Sequence, residues 1–117
     1  MSAVKIIVAD SSDIMLNGIL SYIISDPEIT ICGKATKYHS LCEEIESTPH
    51  DLVLIGPMML DRYRHSFKEI FLQKYPNIKM IHVDFADSPM DIIRKIKNYA
   101  NGAKIHKHNL FEFFSSN

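Results

Sequence analysis

A chain of 117 residues, 46% hydrophobic and 23% charged, can bury one core and is too evenly mixed to be disordered or fibrous. A formal net charge of −1 gives it no general attraction for nucleic acid, and its two cysteines, Cys32 and Cys42, have neither metal-ligand nor redox-pair spacing. No window reaches the ~20 apolar residues that span a bilayer, and "MSAVKIIVAD" lacks a signal-peptide pattern, so a reduced, cytoplasmic protein without membrane contact is expected.

The chain alternates two kinds of element. "VKIIVAD" (4–10) is apolar and β-branched, as a strand covered on both faces should be. "SSDIMLNGILSYIIS" (11–25) follows as a helix with Ser11 or Ser12 as cap and Met15, Ile19, Tyr22 and Ile23 at helical spacing. After the turn "DPE", residues 29–35 form a second strand. Residues 36–47 form a second helix, with Thr36 as cap and Tyr38, Leu41, Cys42 and Ile45 facing inward.

"DLVLIG" (51–56) is a third strand running into an open loop that holds Met58 and Met59. A helix over 60–74 buries Leu60, Tyr63, Phe67, Ile70 and Phe71; its basic run "RYRH" (62–65) reads as a solvated face. Residues 78–84 form a fourth strand containing His82, read as a core histidine. A helix over 88–100 opens with Ser88 at the cap and Pro89 behind it, and turns Ile92, Ile93 and Ile96 inward. "GAKIHKH" (102–108) is expected as a short fifth strand with His106 and His108 at a solvated end. "NLFEFFSSN" (109–117) begins a fifth helix that is short or truncated.

Strands alternating with helices imply right-handed βαβ units. The expectation is a single α/β domain over 1–117, a doubly wound, five-stranded parallel sheet of order 2-1-3-4-5 with helices on both faces. Ligands of such sheets sit beyond the C-terminal ends of the first and third strands. That places Asp10, Gly56 and Asp84 around one crevice.

With these residues in place the chain resembles the receiver domains of bacterial response regulators, closest to the type joined to LuxR-type helix-turn-helix outputs. "KIIVADSSDIMLNGI" is similar to the family's first strand, acidic pair and first helix, "DPEITICGKA" to its second strand, "HDLVLIGPMM" to the strand and loop of the phosphoacceptor aspartate, and "YPNIKMIHV" to its fourth strand. The resemblance implies that Asp10 keeps one acid of the pair while Ser11 replaces the other. It puts Gly56 at the phosphoacceptor position, Asp84 at the Ser/Thr position ending strand four, and Lys107, or His106 in a shifted alignment, at the lysine position.

Aspartyl phosphorylation needs a carboxylate nucleophile and a hard cation held by oxygen ligands. Gly56 removes the nucleophile and a ligand, Ser11 removes a charged ligand, and Asp84 sets a negative charge where a phosphoryl oxygen would lie. The expectation is therefore a pseudo-receiver with no catalytic residue, no metal and no cofactor, not an enzyme. Asp10 is left to cap the first helix, to bind a weak ion or to pair with Lys107, and Asp84 can also pair with Lys107.

Three roles follow. The first is the N-terminal regulatory domain of a LuxR-type transcription regulator, touching DNA only through a domain outside this chain. The second is a stand-alone pseudo-receiver that acts as a protein-interaction module. The third is a small-ligand binder or enzyme using the Asp10, Asp84 and Lys107 crevice. "LFEFF" (110–114) offers more apolar surface than one short helix can bury, so a homodimer, or docking to its own output domain, is expected through Phe113 or Phe114.

Overall fold

The computed structural model describes the backbone of residues 3–108 and the side chains of 3–60 and 66–100. Its elements are β1 (Val4–Ala9), α1 (Asp13–Ile23), β2 (Ile29–Ala35), α2 (Tyr38–Ser47), β3 (Leu52–Ile55), α3 (Pro57–Lys74), β4 (Met80–His82) and α4 (Pro89–His108). The strands form one parallel sheet of order β2-β1-β3-β4. This is the expected α/β sheet, with four of the five expected strands among the described residues.

Strand alternation divides the core into two layers. Ile6 and Val8 of β1 and Leu52 and Leu54 of β3 face Leu16, Ile19 and Ile23 of α1 and Ile92 and Ile96 of α4. Ile7, Ala9, Val53 and Ile55 point the other way, onto Leu41 of α2 and Met59, Phe67 and Phe71 of α3. The central strands are therefore apolar at every position from Ile6 to Ala9 and from Leu52 to Ile55, all buried. Phe67 and Phe71, one turn apart, stack with ring centroids 5.3 Å apart, and Tyr38 meets both edge-on.

Several boundaries differ from the sequence reading. Ser12 caps α1, its hydroxyl accepting the Met15 amide at 3.2 Å. Leu16 takes the inward position assigned to Tyr22, which is 42% exposed. α2 is capped by Lys37 rather than Thr36, without a side-chain hydrogen bond. The loop expected after β3 is instead the first turn of α3: Pro57 stands at the start of the helix, where its missing N–H costs nothing and its fixed φ suits the turn. Ile70 of α3 is exposed.

The largest correction concerns residues 102–108, which continue α4 and do not form a fifth strand. Gly102, read as a strand start, weakens a helix interior by only about 1 kcal/mol, which a helix anchored by Ile92 and Ile96 tolerates. α4 also packs beside α1, on the face opposite α2 and α3. A right-handed crossover from β4 to a strand beyond it would pass over the α2/α3 face, so α4 runs on the wrong side to deliver one. The residues of the expected fifth helix, 109–117, lie outside the described residues.

This packing makes Ile96, fully buried between α1 and the sheet, a pillar of the fold. Ile96→Ala is expected to lower unfolding stability by about 2–4 kcal/mol in urea titration, whereas Ile14→Ala, at an 87% exposed position, should shift it by less than about 0.5 kcal/mol.

Candidate functional site

The crevice at the C-terminal ends of β1 and β3 is built on Asp10. Its backbone continues β1, its N–H donating to the Ala35 carbonyl at 3.1 Å. Its side chain is wholly buried, and it is the one charged residue in that state among the described residues.

Gly56 follows β3 and caps α3, its N–H donating to the Ala9 carbonyl at 2.7 Å. Its φ of −79° is open to any residue, so its backbone does not require glycine. Its volume does. A Cβ built there would run into Asp10, with Oδ2 nearest, Cγ at 2.5 Å and Cβ at 2.8 Å. The Asp10 carboxylate thus fills the space where a side chain at position 56 would stand. Because the conflict reaches the Asp10 Cβ, rotating the carboxylate alone would not relieve it.

Two opposed effects act on Asp10. Burial raises its pKa, and the main-chain amides of Ser12, Met58, Ser11 and Met59 lower it; burial prevails. The Ser12 N–H donates to Oδ1 over 3.4 Å, while Oδ2 has no partner that meets hydrogen-bond geometry and neither has the buried Ser11 hydroxyl. The amides of Met58 and Met59 belong to the first turn of α3, where unpaired N–H groups favour a carboxyl oxygen. Of the roles expected for Asp10, capping of the first helix falls to Ser12, and Asp10 lies against the start of the third.

Asp84 lies on a separate polar cluster. The Asp84 N–H donates to Asp87 Oδ2 at 2.8 Å and the Asp87 N–H returns to the Asp84 carbonyl at 3.0 Å, closing a tight turn. Lys95 of α4 ties this turn down: its Nζ lies 2.6 Å from Asp87 Oδ2, 3.6 Å from Asp84 Oδ2 and 3.3 Å from the His82 carbonyl. Burial works against the Lys95 charge, but Asp87 and Asp84 outweigh it and raise its pKa; the Lys95 hydrogen bond lowers that of Asp87. His82 Nε2 is 3.7 Å from Asp84 Oδ1, so this histidine is half-exposed beside a carboxylate rather than in the core.

Among the described residues Lys95 is the lysine that meets Asp84, one the sequence reading did not consider. The signal was available: Lys95 lies one helical turn beyond Asp91 and just past the acidic turn, whereas Lys107 was chosen by its place in a strand that does not form. Lys107 and His106 fall in the last turns of α4, and nothing of their side chains is described. Phe113 and Phe114 lie outside the described residues.

A divalent cation of the kind used in aspartyl phosphorylation does not fit these residues. It wants about six oxygen ligands, and here the single carboxylate between β1 and β3 is pressed into the volume above Gly56. No group of three or more potential metal ligands occurs among the described residues.

No family model and no curated protein matches the chain. Solved structures do. The chain is similar to the RcsB response regulator of Salmonella typhimurium at 15% identity, with a TM-score of 0.74, covering 87% of this chain and 61% of that one. It is similar to the non-phosphorylated receiver domain of the stress response regulator RcsB from Escherichia coli at 16% identity, with a TM-score of 0.61, covering 85% and 77%. A third likeness is to RcsB from Salmonella enterica serovar Typhimurium bound to promoter rprA in the presence of phosphomimetic BeF3−, at 14% identity and a TM-score of 0.71, covering 90% and 65%. The chain thus spans 61% and 65% of the two longer RcsB chains.

Untying the turn gives a direct test of the polar cluster. A carboxyl whose pKa is lowered by folding stabilises the fold above its unfolded value, near 3.8 for Asp87, and loses that contribution as pH falls through the lower folded value. Lys95→Met should therefore lower stability by about 1 kcal/mol at neutral pH, with the deficit shrinking below pH 3.8, as read by urea titration across pH.

At the C-terminal ends of its strands the chain carries a buried carboxylate in the place of a side chain just after β3, within an α/β fold shared with response-regulator receiver domains.

Proposed function

We propose that this chain is a receiver domain that signals without phosphorylation at the usual site, the regulatory part of a LuxR-type DNA-binding transcription regulator. The observation that carries the reading is the occupation of the Gly56 side-chain volume by Asp10. A phosphoacceptor at position 56 would need a carboxylate in that volume, and the fold already holds one there, attached to the neighbouring strand. The nucleophile is lost, and the remaining acid is buried away from any incoming phosphoryl donor.

The regulatory role is supported by likeness to RcsB, whose promoter-bound structures contain more chain than is compared here. On this reading DNA is met through an output domain, not through this domain of net charge −1. Communication runs through protein surfaces. The chain pairs with a second copy or docks on its output domain, with Phe113 or Phe114 at the contact. An isolated domain of this kind has no enzymatic activity of its own and works in the cytoplasm. A stand-alone interaction module is the second reading, carried by the same closed crevice.

Two measurements test this. After incubation with acetyl phosphate and magnesium, the intact mass should be unchanged; a labile phosphoryl adduct on Asp10 or Asp84 contradicts the proposal. Sedimentation should show self-association at micromolar concentration that Phe113→Ser/Phe114→Ser abolishes, and a wild-type chain monomeric throughout that range removes the homodimer.

A further inference from the structure

The closed crevice has one chemically incomplete feature, and it lies on Asp10. The side chain is excluded from water, yet Oδ2 and the neighbouring Ser11 hydroxyl both lack partners. No ion pair reaches Asp10 among the described residues. Among the described residues of α4 the cations are held elsewhere, Arg94 by Asp91, Lys95 by Asp84 and Asp87, and Lys97 by Asp26 and Glu28. What faces Asp10 is main chain: the amides of Ser11 and Ser12 on its own turn, those of Met58 and Met59 on α3, and Gly56, which brings no side chain.

An ionised oxygen without a counter-charge or a full set of donors is poorly placed in a dry site, whereas a carboxylic acid is tolerated there. The α3 amides pull in the other direction, but too few bonds reach full geometry to replace hydration. The ionised side chain gains by reaching water. Since the carboxylate is wedged over Gly56 against α3, it can reach water only if the β1–α1 turn moves off the start of that helix.

We propose that Asp10 is a proton-operated latch, which clasps the β1–α1 turn to the first turn of α3 when neutral and loosens it when ionised. The inference rests on the reading of this crevice as one closed without phosphate, and it names the regulation of that same site. The upward pKa shift from burial agrees with the geometry. Its sign is fixed by linkage: a carboxyl whose pKa is raised by folding favours the closed form at low pH and loses that advantage as pH rises through the folded value. The proton needs no donor beyond solvent.

The test is an NMR titration of the whole chain from acid to neutral pH, following the Asp10 carboxyl carbon and the amides of Met58 and Met59. The carboxyl should titrate with a midpoint above 3.8, and both amides should move with that same midpoint. In Asp10→Asn the two amides should stay at their low-pH positions throughout. Asp10→Ser, which removes the titrating group without adding bulk, should likewise abolish their pH dependence if the asparagine variant does not fold. A midpoint at or below 3.8, or amides that do not follow the carboxyl, overturns the latch. Phosphoryl uptake, read by mass on the same sample, reports separately on whether the crevice is closed to phosphate.

Discussion

The crevice depends on a single exchange of volume between two neighbouring strands. Asp10 at the end of β1 extends into the space that Gly56 leaves at the end of β3. Gly56 follows β3 directly and caps α3, so the same contact sets where that helix begins. Met59, in its first turn, is fully buried in the layer that carries Phe67 and Phe71. A larger residue at position 56 would press on Asp10 and, through the first turn of α3, on this aromatic layer. The site and the core are one piece of packing.

The second anchor is electrostatic and independent of the first. The Asp84–Asp87 turn is closed by its own amides and pinned by Lys95, so the end of β4 is tied to α4 rather than to the Asp10 crevice. Because α4 packs on the α1 side, this pin also fixes which face of the sheet the helix covers. The two acids have different surroundings. Asp10 is buried against main-chain amides, and Asp84 is neutralised at the rim.

Much of this was legible in the sequence. The continuous apolar runs at 6–9 and 52–55 announced strands covered on both faces, their alternation with helices announced a parallel sheet, and the expected order 2-1-3-4-5 agrees with β2-β1-β3-β4 for its first four strands. That the third strand is followed by Gly56, with no side chain, was visible. What occupies its side-chain volume was not, because a glycine does not say whether its space is empty or taken; that depends on the direction of the Asp10 side chain across a strand pair. Pro57 did carry the signal for an immediate helix start, but the expectation of an active-site loop hid it. In "GAKIHKH" a short alternating pattern of period two competed with a helical one extending from Ile92 through Ile96. The short pattern was given too much weight, and the choice of Lys107 over His106 by its place in that strand followed from it.

The account stands on the claim that Gly56 is there to make room for Asp10. A double-mutant cycle on urea-unfolding stability tests this directly, combining Gly56→Ala with Asp10→Ala. Alone, Gly56→Ala should destabilise the domain by about 1–3 kcal/mol through overpacking against Asp10. With Asp10 shortened to alanine, most of that cost should vanish, leaving a coupling of at least about 1 kcal/mol between the two positions. Additive effects within about 0.3 kcal/mol, or a Gly56→Ala variant as stable as the wild type, would show that the two residues do not share that space.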